Sequence, residues 1–309
     1  MENKKNITYS VIIPTFNSSG AITTLCDELV DVFKEVESNY EIIIVNDGGN
    51  FSTWEKLEEL FNHLDCKISI IRLSKNYGQH NATLCGIKNS MGDVIITIDD
   101  DLQVKPKEIL KLIDAYKLNN PDIVYGIYTS KKHNTIRNAG SAWMKGTSKM
   151  FLRSTGKGSS FRLFKKEIAE KIVEHSQNFV FIDELFHWYT DNIYFVEVEH
   201  HKTKKSRYSL FSLIKLTFDV SINYTVLPLK IITYLGLTSS VISFALGVYF
   251  IFRKIYKDVP LGYTSLIVAV LFSASVIMVS LGVLGQYIFK LYQIQNKKPP
   301  FFIKQKLSK

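Results

Sequence analysis

Short apolar segments alternate with amphipathic segments along the N-terminal part of the chain, and this alternation limits the fold more than any other feature. Five apolar runs are rich in branched aliphatic residues, and the apolar residues between them recur at helical spacing. The runs cover residues 10–13, 41–45, 67–73, 94–98 and 122–125. Strands that alternate with helices form a sheet of mostly parallel strands. The chain is therefore predicted to be an α/β protein with a doubly wound, mostly parallel sheet.

The fourth apolar run ends at three consecutive carboxylates, Asp99, Asp100 and Asp101. Sheets of this kind bind ligands outside the carboxyl ends of their strands, so these side chains are expected at the binding edge. Alternate residues of an extended chain project to the same side, so Asp99 and Asp101 should converge while Asp100 points away. Two hard oxygen ligands at this spacing suit Mg²⁺ or Mn²⁺. A solvated strand end is the simpler alternative, but a cation would relieve the repulsion among three adjacent carboxylates.

Two other predicted strands also end in polar loops at this edge. The first leads to Asn17, and the second leads to Asp47 followed by two glycines. An Asp-Gly pair alone is a common turn, but its place beside the carboxylates makes Asp47 a candidate contact to a nucleotide base or ribose. The chain has neither a GxGxxG segment after its first strand nor a GxxxxGK[ST] segment, which argues against dinucleotide and P-loop chemistry.

Composition argues against several other classes of function. The cysteines, Cys26, Cys66 and Cys85, form no CxxC pair and no Cys/His cluster, so neither disulfides nor a zinc site is expected. The formal net charge is +9, but much of the basic excess lies beside the apolar last third of the chain, so nucleic-acid binding is not expected. The first ten residues have no apolar stretch of the kind that signal peptides contain, and no cleavable signal peptide is predicted.

The last third contains two long, nearly uncharged segments, about 231–252 and 262–289. Each exceeds the roughly 20 residues that span a hydrocarbon core, so a transmembrane hairpin is predicted. Lysine and arginine flank its outer ends, which by the positive-inside rule places the α/β domain in the cytoplasm. The mixed segment before it suits an interfacial helix, although an ordinary amphipathic helix packed on the sheet domain is an equal alternative. The predicted divisions are a cytoplasmic catalytic domain (1–208), an amphipathic juxtamembrane helix (209–228), two transmembrane helices (229–290) and a basic cytoplasmic tail (291–309).

Four segments resemble family 2 glycosyltransferases of the GT-A fold, in the polyprenyl-phosphate branch that is similar to dolichyl-phosphate mannose synthase. They are VIIPTFN (11–17), IIIVNDGG (42–49), LSKNYGQHNATLCGI (73–87) and GDVIITIDDDLQ (92–103). The resemblance continues through the C-terminal apolar segments. It implies a multi-pass, inverting, metal-dependent enzyme of the cytoplasmic (inner) membrane. Such an enzyme transfers a sugar from a nucleotide-sugar to a polyprenyl phosphate such as undecaprenyl phosphate, for cell-surface glycans. The sequence does not identify the sugar, the nucleotide of the donor or the oligomeric state, and a homo-oligomer is one alternative.

The resemblance also implies roles for individual residues. The donor nucleotide is expected to contact Pro14, Asn17, Asp47 and Gln79, with Asp99 in the same donor site. A divalent metal, Mg²⁺ or Mn²⁺, is expected on the donor diphosphate, held by Asp99, Asp101 and Gln103. Asp101 also belongs to the expected catalytic set, together with three arginines that are candidates for binding the acceptor phosphate, Arg137, Arg162 and Arg207. Each of these arginines is equally compatible with a solvated surface position.

Two positions depart from the family pattern. Ser18 stands where many relatives have a glutamate, and Gly156 or Lys157 stands where an aspartate usually precedes the GxxxR segment. Asp183 and Glu184 are the nearest downstream carboxylates and could replace that aspartate as a general base, although structural roles are favoured for both. A phosphate acceptor is already anionic at neutral pH and needs no strong base, so the missing aspartate favours a phosphate acceptor. The alternatives are a transferase that acts on a sugar hydroxyl of a lipid-linked or polysaccharide acceptor, and a membrane-anchored domain that binds a nucleotide-sugar without turnover.

Overall fold

The computed structural model describes residues 8–17, 20–128, 159–174, 182–200, 263–296 and 299–309, with scattered positions between 232 and 252. It forms two compact units, of which the first combines residues 1–207 with 297–309 and the second contains residues 208–296. Arg137, Arg207, Ser18 and the predicted juxtamembrane helix (209–228) lie outside the described residues.

Four parallel strands form the centre of the sheet. They are β1 (Tyr9–Thr15), β2 (Tyr40–Asn46), β3 (Ile68–Leu73) and β4 (Val94–Thr97), and they lie in the order β3-β2-β1-β4. Residues 11–13 and 42–45 are fully buried. A strand that is covered on both faces needs a continuous apolar run, which these segments supply. The predicted parallel α/β arrangement is confirmed for this part of the sheet.

Helices lie on both faces of these strands. On one face, the core that contains Val11 and Ile42 is covered by α1 (Ala21–Val36), α2 (Phe51–His63) and α4 (Ile109–Asn119). On the other face, α3 (Gln79–Lys88) packs against β1 and β2. Its Gly86 permits a close approach, since a Cβ at that position would lie 2.3 Å from Cγ2 of Ile12. This contact sets α3 directly against the sheet, with its N-terminus following the loop after β3.

The sheet is mixed on the β4 side. There β6 (Arg162–Lys165) runs antiparallel to β4 and to β5 (Ile123–Tyr128), while β7 (Ile193–Val198) runs parallel to β5. Two short helices accompany these strands, α5 (Lys166–Val173) and α6 (Ile182–Tyr189). Because β6 is antiparallel to both β4 and β5, strands β5 and β7 point in the same direction as β4, and β6 runs against them. The sheet is mixed, and the prediction that most of its strands are parallel is confirmed for the described strands. Apolar patterning reports the burial of a strand, whereas the direction of the strand depends on the connection that precedes it.

The last residues form a strand where a basic tail is predicted. Strand β8 (Ile303–Ser308) pairs antiparallel with β3 and completes the order β7-β5-β6-β4-β1-β2-β3-β8. Ile68 and Lys309 exchange backbone hydrogen bonds at 3.2 and 3.0 Å. The half-buried Ile303 and Leu307 lie on one face of the strand, and exposed lysines lie on the other. Lysine on an edge strand hinders pairing with another chain, so the basic character of this segment is compatible with a strand.

The second unit contains helix α7 (Tyr263–Gln295), which is 33 residues long. Its segment Phe272–Phe289 has a mean hydropathy of 1.7 and is not buried, and in the described part of the chain it is the one helix long and apolar enough to cross a membrane. At 1.5 Å per residue the helix extends about 50 Å, compared with a hydrocarbon core of about 30 Å. The described positions between 232 and 252 are helical, but the two-helix hairpin is not confirmed by them.

Candidate functional site

A cleft of about 310 Å³ lies where the chain leaves the carboxyl ends of the central strands. It brings together most of the residues that the sequence assigns to a donor site. Its lining comprises Pro14, Thr15, Phe16, Asp47, Asn76, Gly78, Gln79, Ala82, Asp99, Asp100 and Asp101. Asn17 has φ 53° and its side chain accepts a hydrogen bond from the backbone of Asn50 at 2.8 Å. The structure therefore shows Asn17 joining the loops that follow β1 and β2.

Asp99 is held from two sides. Its Oδ1 accepts a hydrogen bond from Nε2 of Gln79 at 2.6 Å, and its Oδ2 accepts one from Oγ of Ser160 at 2.5 Å. Burial raises the pKa of Asp99 to about 6; the Ser160 hydrogen bond opposes this rise, and the charges of Asp101 and Asp100 add to it. The carboxylate therefore lies where a nearby cation would stabilise its charged form.

The neighbouring carboxylates have different partners. The side chain of Asp101 accepts hydrogen bonds from the backbone N–H of Gln103, at 3.0 Å, and from the Gln103 amide group. Oδ2 of Asp100 instead accepts a hydrogen bond from Oγ1 of Thr15 at 2.5 Å, which ties the end of β4 to the end of β1. Asp99 and Asp101 also line a second cavity of about 130 Å³, together with Gln103, Ser160 and His200. These two carboxylates thus lie between two cavities.

The donor atoms at this edge suit a hard divalent cation. No cluster of three His, Cys, Asp or Glu side chains with metal-binding geometry occurs within the described ranges, and the candidate set consists of two carboxylates and one amide. Carboxylate and amide oxygens are ligands that Mg²⁺ and Mn²⁺ accept, whereas the softer metals favour sulfur or imidazole. Asp99, Asp101 and Gln103 all line the smaller cavity, so the residues present fit such a cation.

Asp47 holds the loop that precedes α3. Its two carboxylate oxygens accept hydrogen bonds from the backbone N–H groups of Tyr77 and Gly78, each at 2.7 Å. Burial raises the pKa of Asp47, and these two hydrogen bonds oppose the rise. Gly48 has φ +69° and a Cβ there would lie 2.1 Å from the carbonyl carbon of Lys75, so only glycine permits this approach. Asp47 lines the cleft, and both of its carboxylate oxygens already accept hydrogen bonds from backbone N–H groups.

Arg162 lies in the interior rather than on the surface. It is 2% exposed, donates a hydrogen bond to Oδ1 of Asp183 and stands 5.2 Å from the ring centroid of Phe186. The same Asp183 oxygen accepts a hydrogen bond from the Tyr125 hydroxyl at 3.0 Å. Burial lowers the pKa of Arg162, whereas the interactions with Asp183 and Tyr125 raise it by a larger amount. The pKa of Arg162 therefore lies above its ordinary value. The ion pair commits Asp183 to a structural contact, and Glu184 beside it is 3% exposed.

Sequence reasoning missed three residues at the site: Ser160, Thr15 and His200. Ser160 and Thr15 are hydroxyl donors to the aspartate triplet, and His200 follows β7 and lines the smaller cavity. Their partners are 61 residues away for Ser160 and 85 for Thr15, and no local spacing pattern connects them. Only the pairing of the strands could have revealed these contacts.

Comparisons with known proteins agree on one family. The model of the family described as "Glycosyl transferase family 2" matches residues 10–180. An uncharacterised glycosyltransferase of Synechocystis is 31% identical over 311 residues, which cover 96% of this chain and 95% of that protein. An undecaprenyl-phosphate 4-deoxy-4-formamido-L-arabinose transferase of Pectobacterium atrosepticum is 27% identical over 318 residues, covering 100% and 95%.

Solved structures support the fold. Glucosyl-3-phosphoglycerate synthase of Mycobacterium tuberculosis, crystallised with Mn²⁺, UDP-glucose and phosphoglyceric acid, superposes with a TM-score of 0.52 at 15% identity. The match covers 70% of this chain and 78% of the synthase. At this identity the similarity concerns the arrangement of strands and helices.

Proposed function

Because the chain belongs to glycosyl transferase family 2, as its four motif segments predict, we propose that it transfers one sugar from a nucleotide-sugar to a polyprenyl phosphate. The observation that carries this proposal is the position of Asp99 and Asp101 between a larger cleft and a smaller cavity. The acceptor class is supported by relatives that match almost the whole chain and are named undecaprenyl-phosphate sugar transferases.

The larger cleft suits the donor. The loop after β1, the loop that Asp47 holds and the first residue of α3 line it together. The N-terminus of a helix carries a partial positive charge and unpaired N–H groups, which favour a phosphate nearby. We infer that Pro14, Asn17, Asp47 and Gln79 form the nucleotide side of the site, with Asp47 acting through the loop it clamps.

A divalent cation belongs to this proposal. Asp99, Asp101 and Gln103 would hold Mg²⁺ or Mn²⁺, and the bound cation would stabilise the negative charge that develops on the departing nucleoside diphosphate. The hydrogen bonds from Gln79 and Ser160 keep the Asp99 carboxylate in one orientation before the donor arrives. This preorganisation is the contribution of the chain itself.

The acceptor needs no strong base under this proposal. A phosphate monoester is largely anionic at neutral pH, so one of its oxygens can attack the sugar directly and invert the anomeric centre. Asp183 is committed to Arg162, which leaves it poorly suited to remove a proton from a hydroxyl. We propose Arg137 and Arg207 as contacts for the acceptor phosphate. Arg162, buried with Asp183, then serves by holding β6 and α6 together.

The C-terminal strand supports a membrane hairpin. Because β8 belongs to the same sheet as β1–β4, residues 9–97 and 303–308 lie on one side of any membrane. If α7 crosses the bilayer, the chain before it must cross as well, which favours two spans near 231–252 and 262–289. The basic residues that flank the spans favour a cytoplasmic catalytic domain. The anchor would then keep the site beside the lipid phosphate.

The test is turnover by the full-length protein in detergent with Mn²⁺ or Mg²⁺. A panel of nucleotide-sugars is offered with undecaprenyl phosphate and, in parallel, with a lipid-linked sugar, and mass spectrometry should detect undecaprenyl phosphate that is heavier by one sugar. Asp101→Ala should abolish this product, whereas Asp114→Ala, which removes an exposed carboxylate on α4, should not. An unmodified lipid phosphate, with glycosylation of a lipid-linked sugar hydroxyl instead, would overturn the proposed acceptor. Full activity of Asp101→Ala would overturn the metal assignment.

A further inference from the structure

The pairing of β4 with β6 brings Ser160 opposite Asp99. The ladder runs antiparallel from Val94↔Lys165 to Thr97↔Arg162 and then ends. If the same register continued for two more residues, Asp99 would face Ser160. A candidate metal ligand and a serine hydroxyl therefore meet where the backbone hydrogen bonds of the sheet stop.

Two side-chain hydrogen bonds span this open end of the ladder. Oγ of Ser160 donates to Oδ2 of Asp99 at 2.5 Å, and Oγ1 of Thr97 donates to the backbone carbonyl of Ser160 at 2.5 Å. Thr97 is 2% exposed, so its hydroxyl is anchored within the sheet. The hydrogen bond from Thr97 thus fixes the backbone of Ser160, and the hydrogen bond from the Ser160 hydroxyl orients the Asp99 carboxylate.

The opposite side of the carboxylate is held independently. Nε2 of Gln79, the first residue of α3, donates to Oδ1 of Asp99 at 2.6 Å. Each carboxylate oxygen has two lone pairs, so both oxygens keep the capacity to bind a cation after accepting these hydrogen bonds. Groups that orient a metal-binding carboxylate in this way typically contribute 10–100-fold to metal affinity.

From these contacts we propose that Ser160 is a positioning residue that orients the Asp99 carboxylate toward the divalent cation of the donor complex. This role rests on the proposed function, because it requires a cation at Asp99. Ser160 acts through Asp99, so its contribution is to the affinity for the cation. A serine that merely closed the end of the sheet would contribute to stability and leave cation affinity unchanged.

The experiment measures Mn²⁺ binding to the full-length protein in detergent, without donor, acceptor or turnover. Ser160→Ala should weaken Mn²⁺ binding about 10–100-fold, while its melting temperature stays close to that of the wild type. Ser160→Thr, which keeps the hydroxyl, should recover most of the affinity. Thr97→Val, which removes the anchor of the Ser160 backbone, should weaken binding by a smaller factor. Ser69→Ala is the matched control, because it removes a serine hydroxyl bonded to Ser308 at the far edge of the same sheet.

The outcomes separate this role from the proposed function. Equal Mn²⁺ affinity in the wild type and Ser160→Ala overturns the role of Ser160 and leaves the proposed transferase activity intact. A loss of affinity that Ser160→Thr does not restore, with a lowered melting temperature, also overturns it and makes the serine structural. If Asp99→Ala binds Mn²⁺ as tightly as the wild type, the metal assignment in the proposed function fails, and the role of Ser160 fails with it.

Discussion

Replacing Asp183 with alanine should destabilise the fold of the protein and leave the transfer step intact. The substitution removes the carboxylate that faces Arg162, whose side chain is 3% exposed, and it also removes the acceptor of the Tyr125 hydroxyl. Removing one partner of a buried ion pair lowers the free energy of unfolding by about 3–5 kcal/mol, because the remaining charge is left without compensation. For a domain of this size 1 kcal/mol corresponds to about 2–4 °C, so the melting temperature should fall by roughly 6–20 °C.

A paired substitution tests the physical reason. Arg162→Met combined with Asp183→Leu removes both charges while keeping apolar volume, and such replacements of a buried ion pair are often neutral or stabilising. In the part of the chain that the structure describes, Nε of Arg162 has no hydrogen-bond partner, so the pair is not fully satisfied. The double variant should therefore recover most of the melting temperature that Asp183→Ala loses, except for the part that comes from the Tyr125 hydroxyl, which still lacks its acceptor.

The assay combines thermal unfolding, followed by intrinsic fluorescence in detergent, with turnover per folded molecule well below the transition. Asp191→Ala is the control, since it removes an exposed carboxylate two residues after α6. Asp183→Ala should retain turnover near the wild-type value when it is measured on folded protein. An unchanged melting temperature with turnover reduced by several orders of magnitude would refute this reasoning. It would identify Asp183 as a general base and favour a sugar hydroxyl as the acceptor.

Two further predictions concern the cleft. Mn²⁺ affinity should fall about tenfold between pH 7 and pH 5, because the pKa of Asp99 is raised to about 6 and protons compete with the metal below that value. Titration calorimetry at several pH values measures this affinity. An affinity that does not change with pH would contradict the role of Asp99 as a metal ligand. Gly48→Ala should weaken nucleotide-sugar binding by up to about 10²-fold, because the new Cβ would lie 2.1 Å from the Lys75 carbonyl carbon and displace the loop before α3. Gly20→Ala is the matched control, because Gly20 also has a positive φ, +105°, but no atom lies within 4 Å of the added Cβ. Equal donor affinities in the two variants would contradict the proposed role of the loop before α3 in binding the nucleotide-sugar.

The central sheet and its chemical edge are predictable from the sequence because their signals are local. Residues 11–13 and 42–45 are buried on both faces, and such burial leaves continuous apolar runs in the sequence. The ends of those runs mark where polar loops emerge, so the sequence alone assigns Asp47, Asp99 and Asp101 to one edge. Asp99 and Asp101 do share the smaller cavity, which Asp100 does not line, but the alternation of an extended chain is not the reason. Strand β4 ends at Thr97, residues 100–101 form a turn, and Asp100 lines the larger cleft with its two neighbours, so the prediction that Asp100 points away is wrong for that cleft.

Contacts between distant segments are decided by the tertiary structure alone. Arg162 matches a family motif and is expected at the acceptor phosphate. In the structure it is buried and forms an ion pair with Asp183, which lies 21 residues further along the chain. Ser160 contacts Asp99 across 61 residues, and Ser308 contacts Ser69 across 239. These pairs depend on which strands become neighbours and in what register. Periodicity within a segment reports which face is buried, but the identity of the residue that covers it depends on the packing of the whole sheet.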